Sequence, residues 1–407
     1  MILFAFSLFV VIAVGCIFLT FLVAESSIWR IDRLVPSMES PPRWPCVSIV
    51  FAARNEELAI EEATRSMLEL DYPDFEVIVV DDRSTDRTSE ILRQMQFDED
   101  SKSNERQQLC DRDQHSTNGR LHVVRVEKLP SGWLGKCNAL HLGAAQAKGE
   151  WLLFTDADIH MRRDTLQVAM AYALREKADH MTMAPYCEMP TWLLTTFVAT
   201  FAFLFKAFVK PHQIANPKSA AHVGIGAFNL VLRDAYSSIG GHEAVRLCPD
   251  DDVKLGKTLK RAGFRQRFVN GLGLISVQWY SSIGEVVRGL EKNCFAGIDF
   301  RYSAWVASNT LLFGLAIAPW LFLPFANGNS LLLLCIACGL WLLMGTINAV
   351  RSGYRVDHGL ALPIGILLFL WVMNRSVILT LVRRGIYWRD TFYSLEELQE
   401  FCKTRSR

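Results

Sequence analysis

Acidic residues stand directly after two short apolar runs in the first half of the chain. Asp81 and Asp82 follow the run EVIVV, while Asp156 and Asp158 follow WLLFT. Burial of such carboxylates is costly unless a positive charge neutralises them. A divalent cation bridging a diphosphate would do so, and carboxylate oxygens are hard ligands that suit Mg²⁺ or Mn²⁺. Asp156 and Asp158 are therefore candidate metal ligands, and a helix cap plus a surface aspartate is the alternative interpretation.

The Asp-x-Asp spacing is weak evidence by itself, because it occurs four times, at 98/100, 111/113, 156/158 and 250/252. The first two pairs lie in the polar stretch 96–120, where carboxylates are ordinarily solvated. The last belongs to the run 250–252, which opens a helical stretch at 253–263. Acidic residues in a first helical turn complement the helix dipole, but three in succession exceed that need. The runs at 156–158 and 250–252 are thus the ones that indicate chemistry.

Lys136 follows the segment Gly132-Trp-Leu-Gly135 and opens a predicted helix at 138–147. A lysine after glycines at a helix N-terminus suits phosphate, because free backbone N–H groups and the ammonium point the same way. A lone Gly-Lys pair would be ordinary. The glycines and the helix start together make Lys136 a candidate contact for an anionic ligand.

The elements that would position these side chains alternate between strands and helices. Short apolar runs begin at Val47, Glu76, Leu121 and Trp151, and helical spacing of apolar residues separates the first three, at 56–70 and 84–95. A β-α-β-α order predicts an α/β fold with a parallel sheet and helices on its faces. Ligands bind at the carboxyl ends of such strands, which is where the acidic residues lie.

The stretch 96–120 is almost wholly polar and shows no apolar period. Such composition is typical of a mobile surface insertion. The sequence leaves its role open.

Hydrophobic residues make up 51% of the 407 residues, and they crowd 1–24 and 305–382. Residues 1–24 carry no charge and would reach about 36 Å as a helix, enough to cross a bilayer. A cleaved signal peptide is disfavoured, because no basic segment precedes the run and no A-x-A site follows it. Arg30, Arg33 and Arg43 then place the following segment in the cytoplasm by the positive-inside rule.

Further apolar runs follow at 305–326 and 331–350, which we interpret as a transmembrane hairpin. The run 360–382 contains Asn374 and Arg375, and the sequence leaves open whether it crosses the membrane or is re-entrant or interfacial. Residues 192–209 are apolar except for Lys206, and we expect an in-plane interfacial helix.

Charge and cysteine content exclude two other classes of protein. The 43 Lys and Arg residues nearly balance the 42 Asp and Glu residues, so a general nucleic-acid binder is disfavoured. The ten cysteines are scattered, and the single C-x-x-C pair lies in an apolar run. A zinc site or a disulfide framework is therefore not expected, and a reducing compartment fits better.

Five motifs in order resemble those of the inverting nucleotide-sugar glycosyltransferases of family 2, which have a GT-A fold: VSIVFAARNEE, EVIVVDDRSTDRT, GWLGKCNAL, WLLFTDADI and DDVKLGKTLKRAGF. The resemblance covers about residues 45–300. Longer motifs, including PSGWLGKCNALHLGA and RRGIYWRDTFY, resemble the membrane-bound branch that includes hopanoid-associated and carotenoid (diaponeurosporenoate) glycosyltransferases. The fold so implied is a Rossmann-like, mostly parallel sheet flanked by N-terminal and C-terminal transmembrane helices.

The resemblance also implies roles for particular residues. It implies that the nucleotide donor contacts seven residues and that Asp156 and Asp158 hold the metal. The family's E-D-x-x-L-G pattern falls on Asp251-Asp252-Val-Lys-Leu-Gly, which makes Asp252 the candidate general base with Asp251 beside it. The donor-binding residues so implied are Ala53, Asn55, Glu56, Asp81, Asp82, Lys136 and Asp156.

This sequence departs from the family pattern in two places. Arg83 stands where the family usually has Gly, so the loop either differs in backbone or gains a cation. The Q-x-x-R-W motif of processive synthases is absent, which argues against a long polysaccharide product. Arg288, Lys292 and Arg301 fall in the stretch that replaces it, and contact with a diphosphate and location at the membrane surface remain equal alternatives. Gly224, Gly226, His242 and Glu243 are either acceptor-side residues or scaffold.

The sequence thus predicts a multi-pass plasma-membrane enzyme that moves one sugar from a nucleotide diphosphate donor, with UDP preferred, to a lipid acceptor. We expect an anchor at 1–24, a linker at 25–44, a cytoplasmic catalytic domain at 45–302, a membrane region at 303–382 and a cytosolic tail at 383–407. A polyprenyl-phosphate glycosyltransferase or a short polysaccharide synthase is the alternative enzyme. A transporter subunit or an inactive scaffold is the alternative from another class.

Overall fold

The structure, a computed structural model, describes residues 1–33, 41–109, 119–389 and 391–406. The chain forms two units. The first, called the sheet unit here, comprises Trp29–Tyr186 and Gln213–Val277. The second, called the helical unit, comprises Met1–Ile28, Cys187–His212 and Gln278–Arg407.

The described residues contain three β-sheets. Their strands are β1 Val47–Ala53, β2 Phe75–Asp82, β3 Leu121–Val126, β4 Trp151–Asp156, β5 Ile159–Met161, β6 His180–Ala184, β7 Tyr186–Cys187, β8 Asn229–Leu232, β9 Gln266–Asn270, β10 Ile275–Val277, β11 Gly385–Trp388 and β12 Thr391–Ser394.

Seventeen α-helices are described, together with short 3₁₀ and π segments. They are α1 Ile2–Ser27, α2 Ile60–Leu68, α3 Thr88–Leu109, α4 Gly135–Gln146, α5 Thr165–Arg175, α6 Trp192–Val209, α7 Pro211–Ile214, α8 Arg233–Ser238, α9 Asp251–Arg261, α10 Ile283–Glu291, α11 Asn293–Ala296, α12 Tyr302–Leu312, α13 Ala318–Phe322, α14 Gly328–Arg351, α15 Val356–Leu360, α16 Leu362–Arg383 and α17 Leu395–Ser406.

A seven-stranded sheet of order β3-β2-β1-β4-β8-β6-β9 forms the centre of the sheet unit. Neighbouring strands are parallel except for β8, which runs antiparallel to both β4 and β6. Every residue of β2 is buried, as expected for a strand covered by helices on both faces. One core cluster joins Val50, Ile78 and Phe154 of the sheet to Leu140 of α4 and Leu255 of α9. The predicted α/β fold with a mostly parallel sheet is confirmed.

The helix expected at 84–95 extends into the polar insertion at 96–120, because α3 continues from Thr88 to Leu109. This helix has no apolar stripe, and polar side chains at helical spacing support it instead. Gln94 donates a hydrogen bond to Asp98, and Lys102 pairs with Glu99. Such i,i+3 and i,i+4 pairs stabilise solvated helices. Residues 110–118 lie outside the described part of the chain.

Within the described residues, five helical segments are long and apolar enough to cross a membrane. They are Ile2–Ser27, Trp192–Ile214, Tyr302–Phe325, Gly328–Arg351 and Leu362–Arg383. The predicted apolar segments at both ends of the chain therefore form helices of membrane-spanning length. The structure also adds a β11–β12 hairpin and the helix α17 within 385–406, elements that the sequence analysis did not predict.

The segment predicted as one helix at 305–326 is irregular at its centre, where Phe313–Ile317 forms a π-turn. Pro319 has no backbone N–H, so it cannot donate to the carbonyl of Leu315 as an ordinary helical residue would. The indole of Trp341 donates to that carbonyl instead, at 2.8 Å. A neighbouring helix therefore satisfies the group that the proline leaves unpaired.

Polar residues inside the helical unit are paired with one another. Glu25 accepts a hydrogen bond from Lys206 at 2.7 Å and from Arg351 at 2.6 Å. Lys206 also donates to Asn348 at 3.0 Å. Asn374, which interrupts the last apolar run, accepts from Trp305 at 2.9 Å, and α16 continues through it. These pairs explain how polar side chains are accommodated among apolar helices.

Candidate active site

The site begins where β1, β2 and β4 end side by side. In the parallel ladders, Ala53 lies opposite Asp81, and Ala52 lies opposite Asp156. The acidic residues that follow separate strands in the sequence therefore meet at one edge of the sheet, as a parallel arrangement requires.

The loops after β1 and β2 are tied together through Asn55. The Asn55 side-chain oxygen accepts a hydrogen bond from the backbone N–H of Thr85 at 2.8 Å, and the Asn55 N–H donates to the Ser84 hydroxyl at 3.1 Å. Glu56 N–H donates to the Thr88 hydroxyl at 2.8 Å. Asn55 has a φ of 56°, a left-handed conformation that asparagine tolerates better than most residues. Two of the predicted donor-binding residues thus fix the shape of this edge.

Asp81 and Asp82, at the end of β2, are buried, and each has internal partners. Asp81 accepts from the Ser84 N–H at 3.1 Å and from the Ser89 hydroxyl. Arg83 donates to both oxygens of Asp82, at 2.8 and 3.0 Å. Arg83 has a φ of 61°. It therefore keeps the backbone conformation that glycine adopts readily and adds a cation that pairs with Asp82.

Lys136 lies in the first turn of α4 and donates to Asp156 at 2.6 Å. Burial lowers the pKa of Lys136, but Asp156, Asp251 and Asp252 outweigh this effect and hold the pKa above its usual value. Gly226 is close by, since a Cβ there would lie 3.3 Å from the Lys136 ammonium and 2.8 Å from Asp156. The structure thus brings together a lysine and three carboxylates from three separate parts of the sequence.

Asp158 is half-buried just beyond β4. Burial, followed by the charges of Asp156 and Glu56, raises its pKa to about 7. Mutual repulsion of this kind is relieved by a bound cation, and the hard oxygens of Asp156 and Asp158 fit Mg²⁺ or Mn²⁺. Among the described residues, no group of three or more His, Cys, Asp or Glu side chains is placed to hold a metal ion.

Asp252, the predicted general base, lies in the first turn of α9 and is fixed by two backbone groups. Its two oxygens accept from the N–H of Gly226 at 2.6 Å and from the N–H of Val253 at 2.8 Å. Burial, followed by the charge of Asp251, raises the pKa of Asp252 to about 6. A Cβ on Gly224 would lie 1.8 Å from the Asp252 carbonyl oxygen, so this loop and the start of α9 pack without room for a side chain.

Asp251 points to a different environment from its neighbour. One of its oxygens lies 3.9 Å from Nε2 of buried His242. The other ring nitrogen of His242 contacts the Tyr236 hydroxyl at 2.9 Å, and the ring packs edge-on against Phe154. Burial lowers the pKa of His242 to about 3, which keeps the ring neutral. The sequence analysis singled out His242 but gave no signal for Tyr236.

The third aspartate of the run, Asp250, lies 3.2 Å from Lys254. Burial raises the pKa of Asp250 to about 6. Glu243, in contrast, is exposed. The three adjacent aspartates 250–252 therefore differ in their contacts. Of the three, Asp251 and Asp252 border a cavity.

A small cavity of about 10 Å³ marks the point where these segments converge. Its lining residues come from α4, β4, β8, α9 and the loops before them: Lys136, Leu140, Phe154, Thr155, Gly226, Asn229, His242, Asp251 and Asp252. The predicted donor-binding residues of β1 and β2 do not line it. They form the adjoining edge of the sheet.

Comparison with known proteins bears on the family and the fold of the chain. Residues 48–240 match the family described as Glycosyl transferase family 2. The chain is 23% identical over 262 residues to 4,4'-diaponeurosporenoate glycosyltransferase of Staphylococcus haemolyticus, covering 62% of this chain and 61% of that protein. It is 36% identical over 214 residues to beta-monoglucosyldiacylglycerol synthase of Synechocystis sp., covering 52% of this chain and 40% of that protein. The aligned parts thus amount to less than two thirds of either relative.

The fold resembles that of a solved mannosyltransferase from Pyrobaculum calidifontis, determined in complex with GDP-Man and Mn²⁺. The TM-score is 0.52 at 18% sequence identity, and the match covers 91% of this chain and 99% of that one. At this identity the similarity bears on the fold alone, which is the GT-A fold.

Proposed function

We propose that this chain, whose residues 48–240 match glycosyltransferase family 2, transfers a single sugar from a nucleotide diphosphate donor to a lipid hydroxyl or carboxyl with inversion at the anomeric carbon. A UDP-sugar is the preferred donor. The acceptor class is a hopanoid, a carotenoid or a comparable membrane lipid.

The observation that carries the proposal is the meeting of the Lys136 ammonium with the carboxylates of Asp156, Asp251 and Asp252, beside a cavity that Lys136, Asp251 and Asp252 line. One cation faces three carboxylates, which is an arrangement with excess negative charge. A bound divalent cation and a proton taken from a substrate would both relieve that excess. Sugar transfer from a diphosphate needs both.

The donor's diphosphate would be held by two kinds of group. Asp156 and Asp158 would hold Mg²⁺ or Mn²⁺, which neutralises charge on the departing diphosphate when bound. Lys136, at the start of α4, binds a phosphate oxygen through its ammonium, and the free N–H groups of that helix end assist it. The edge formed by Ala53, Asn55 and Asp81 receives the nucleoside, whose hydroxyl and amide groups bond to carboxylate and backbone atoms.

Asp252 acts on the acceptor. Its two oxygens are each engaged by one backbone N–H, which leaves a second lone pair on each to take a proton. When the acceptor is a hydroxyl, its O–H bond breaks as the proton passes to Asp252, and the oxygen forms a bond to the anomeric carbon. A carboxyl acceptor reacts as the carboxylate, whose oxygen forms the same bond with no proton to transfer. The bond from that carbon to the phosphate oxygen breaks in the same step, and its electron pair leaves with the nucleoside diphosphate. One in-line displacement inverts the configuration.

The lipid acceptor is supported by the helical unit and by the relatives. Five described helices have membrane-spanning length and hydropathy. The names of the two aligned relatives refer to a carotenoid acid and to a glucosyl lipid. Arg30, Arg33 and Arg43 after the first helix support a cytoplasmic catalytic domain.

The direct test of the donor is hydrolysis of a panel of UDP-, GDP- and dTDP-sugars by the detergent-purified full chain with Mn²⁺. We expect slow release of the nucleoside diphosphate from one or a few donors and none in EDTA. Lys128→Met, which changes an exposed lysine of the same unit, is the matched control for Lys136→Met. Equal hydrolysis by Lys136→Met and by the control would contradict the assignment of the diphosphate site.

A further inference from the structure

A second cavity, of about 280 Å³, lies within the helical unit. Charged side chains of α10, of the residue after it and of the C-terminal half of α16 line much of it: Arg288, Glu291, Lys292, Arg375 and Arg383. Its size lies near the lower end of small-molecule sites, which suits a head group better than a whole lipid.

The cavity carries an excess of positive charge. Glu291 is the one carboxylate among its described lining residues, and it pairs with Arg383 and, at 3.8 Å, with Arg375. The Lys292 ammonium lies 3.9 Å from the centre of the Trp388 ring. With Arg288 the lining holds four cations and one carboxylate. Arg375 and Arg383 share Glu291 as a partner, so an anion is the complementary ligand for these two arginines.

The exposed face of α16 adds a second, apolar feature. Leu367, Trp371, Ile378 and Val382 are each at least half exposed. Arg375 lies between Trp371 and Ile378 in the sequence. With Arg375 included, successive residues are three or four positions apart, so all five lie in one stripe of the helix. A lipid chain lying along this stripe would therefore bring its head group to the arginine that borders the cavity.

We propose that this cavity binds the phosphate of an anionic lipid head group, with an acyl chain along the exposed face of α16. Arg375 and Arg383 supply forked N–H donors that match phosphate oxygens, and Lys292 and Arg288 add charge. Glu291 competes with the phosphate for these two arginines. The inference concerns the helical unit and does not depend on the sugar-transfer chemistry.

The test measures phosphatidylglycerol binding to the full chain in phosphatidylcholine nanodiscs, with native mass spectrometry counting the lipids retained. We expect the double variant Arg375→Gln/Arg383→Gln to bind phosphatidylglycerol about 30-fold more weakly, from about 1 kcal/mol for each basic residue. The matched control Arg355→Gln/Arg384→Gln removes two other exposed arginines that do not line the cavity. It should bind as wild type does. Equal weakening in both double variants would overturn the proposal.

A second variant keeps the test decisive if the arginine variant does not fold. Glu291→Gln leaves all four cations and removes the competing carboxylate, so it should bind phosphatidylglycerol more tightly than wild type. Unchanged or weaker binding would overturn the proposal.

Inorganic phosphate distinguishes the lipid from a soluble ligand. We expect no displacement of phosphatidylglycerol by equimolar inorganic phosphate, whereas displacement would assign the cavity to soluble phosphate and reject the lipid.

Discussion

At the scale of single residues, Asp252 and Asp251 are neighbours with different surroundings, and this difference separates their roles. Asp252→Asn should bind the donor as wild type does yet transfer sugar about 10²- to 10⁴-fold more slowly, because it removes a general base that acts on the acceptor. Asp251→Asn should have a smaller effect, since Asp251 faces His242. Donor binding by calorimetry and initial transfer rates check both. If Asp251→Asn abolishes transfer and Asp252→Asn does not, the assignment of the base is wrong.

The raised pKa of Asp252, about 6, predicts the pH dependence of transfer. A base acts only when ionised, so the rate should be constant above about pH 6 and fall about tenfold per pH unit below it. Saturating donor and Mn²⁺ keep metal binding from contributing to the profile. The profile is measured as kcat from pH 4.5 to 8. The residual rate of Asp252→Asn should lack this inflection, and a wild-type rate that is flat down to pH 4.5 would contradict the prediction.

Lys136 predicts an effect on donor affinity. Lys136→Met removes a charge-assisted hydrogen bond worth about 1.5–3 kcal/mol, so donor binding should weaken about 10- to 100-fold. Lys136→Arg should not restore it, because Gly226 and Asp156 pack closely around the ammonium. Calorimetric titration with the donor and Mn²⁺ measures both variants. Full affinity in the arginine variant would contradict the close packing around residue 136.

The sequence predicted which residues approach the site but not all of their partners. Position after a strand was enough to select Asp156 and Asp158, because the ends of parallel strands must meet. The partners of Asp81 and Asp82 could not be predicted, since Ser89 and Arg83 contact them through loop conformation. The assigned roles of these residues in donor and metal binding remain predictions.

At the scale of elements, α9 is held in place by close backbone contact. A Cβ on Gly256 would lie 1.9 Å from the Val223 carbonyl oxygen. Alanine favours helix over glycine by about 1 kcal/mol, yet Gly256→Ala should destabilise the protein by about 1–3 kcal/mol, because that overlap forces α9 to shift. Thermal unfolding and transfer rates measure the effect. Gly339→Ala, in α14 with no atom within 4 Å of its Cβ, is the control and should be neutral or stabilising. Equal melting temperatures for both variants would contradict the packing argument.

The elements of the sheet unit were predictable where hydrophobic periodicity is strong. The four apolar runs became β1 to β4, and the helices between them lie close to their predicted places. Periodicity failed for α3, because its described pairs, Gln94 with Asp98 and Glu99 with Lys102, are polar and leave no apolar stripe to detect. Periodicity also failed at Phe313–Ile317. There the Leu315 carbonyl accepts from the indole of Trp341, a residue far along the chain that a local pattern cannot reveal.

At the scale of the whole molecule, the chain combines a GT-A sheet with a set of membrane-length helices. Apolar composition predicted the helices at both ends. It could not predict that residues 187–212 would group with the terminal helices and not with the sheet that they interrupt in the sequence. The contacts of α6 explain this grouping, since Gly365 of α16 leaves room for Thr200 and Phe203 packs on Trp341.

The central claim is metal-dependent, inverting sugar transfer to a lipid, and one measurement tests it most directly. The detergent-purified full chain is incubated with a labelled UDP-sugar, Mn²⁺ and an extract of bacterial membrane lipids, and organic-phase label and product anomeric configuration are determined. We predict a labelled glycolipid whose anomeric configuration is inverted relative to the donor, and none with Asp158→Asn or in EDTA. A labelled lipid that forms equally well in EDTA, or a product with retained configuration, would contradict the account.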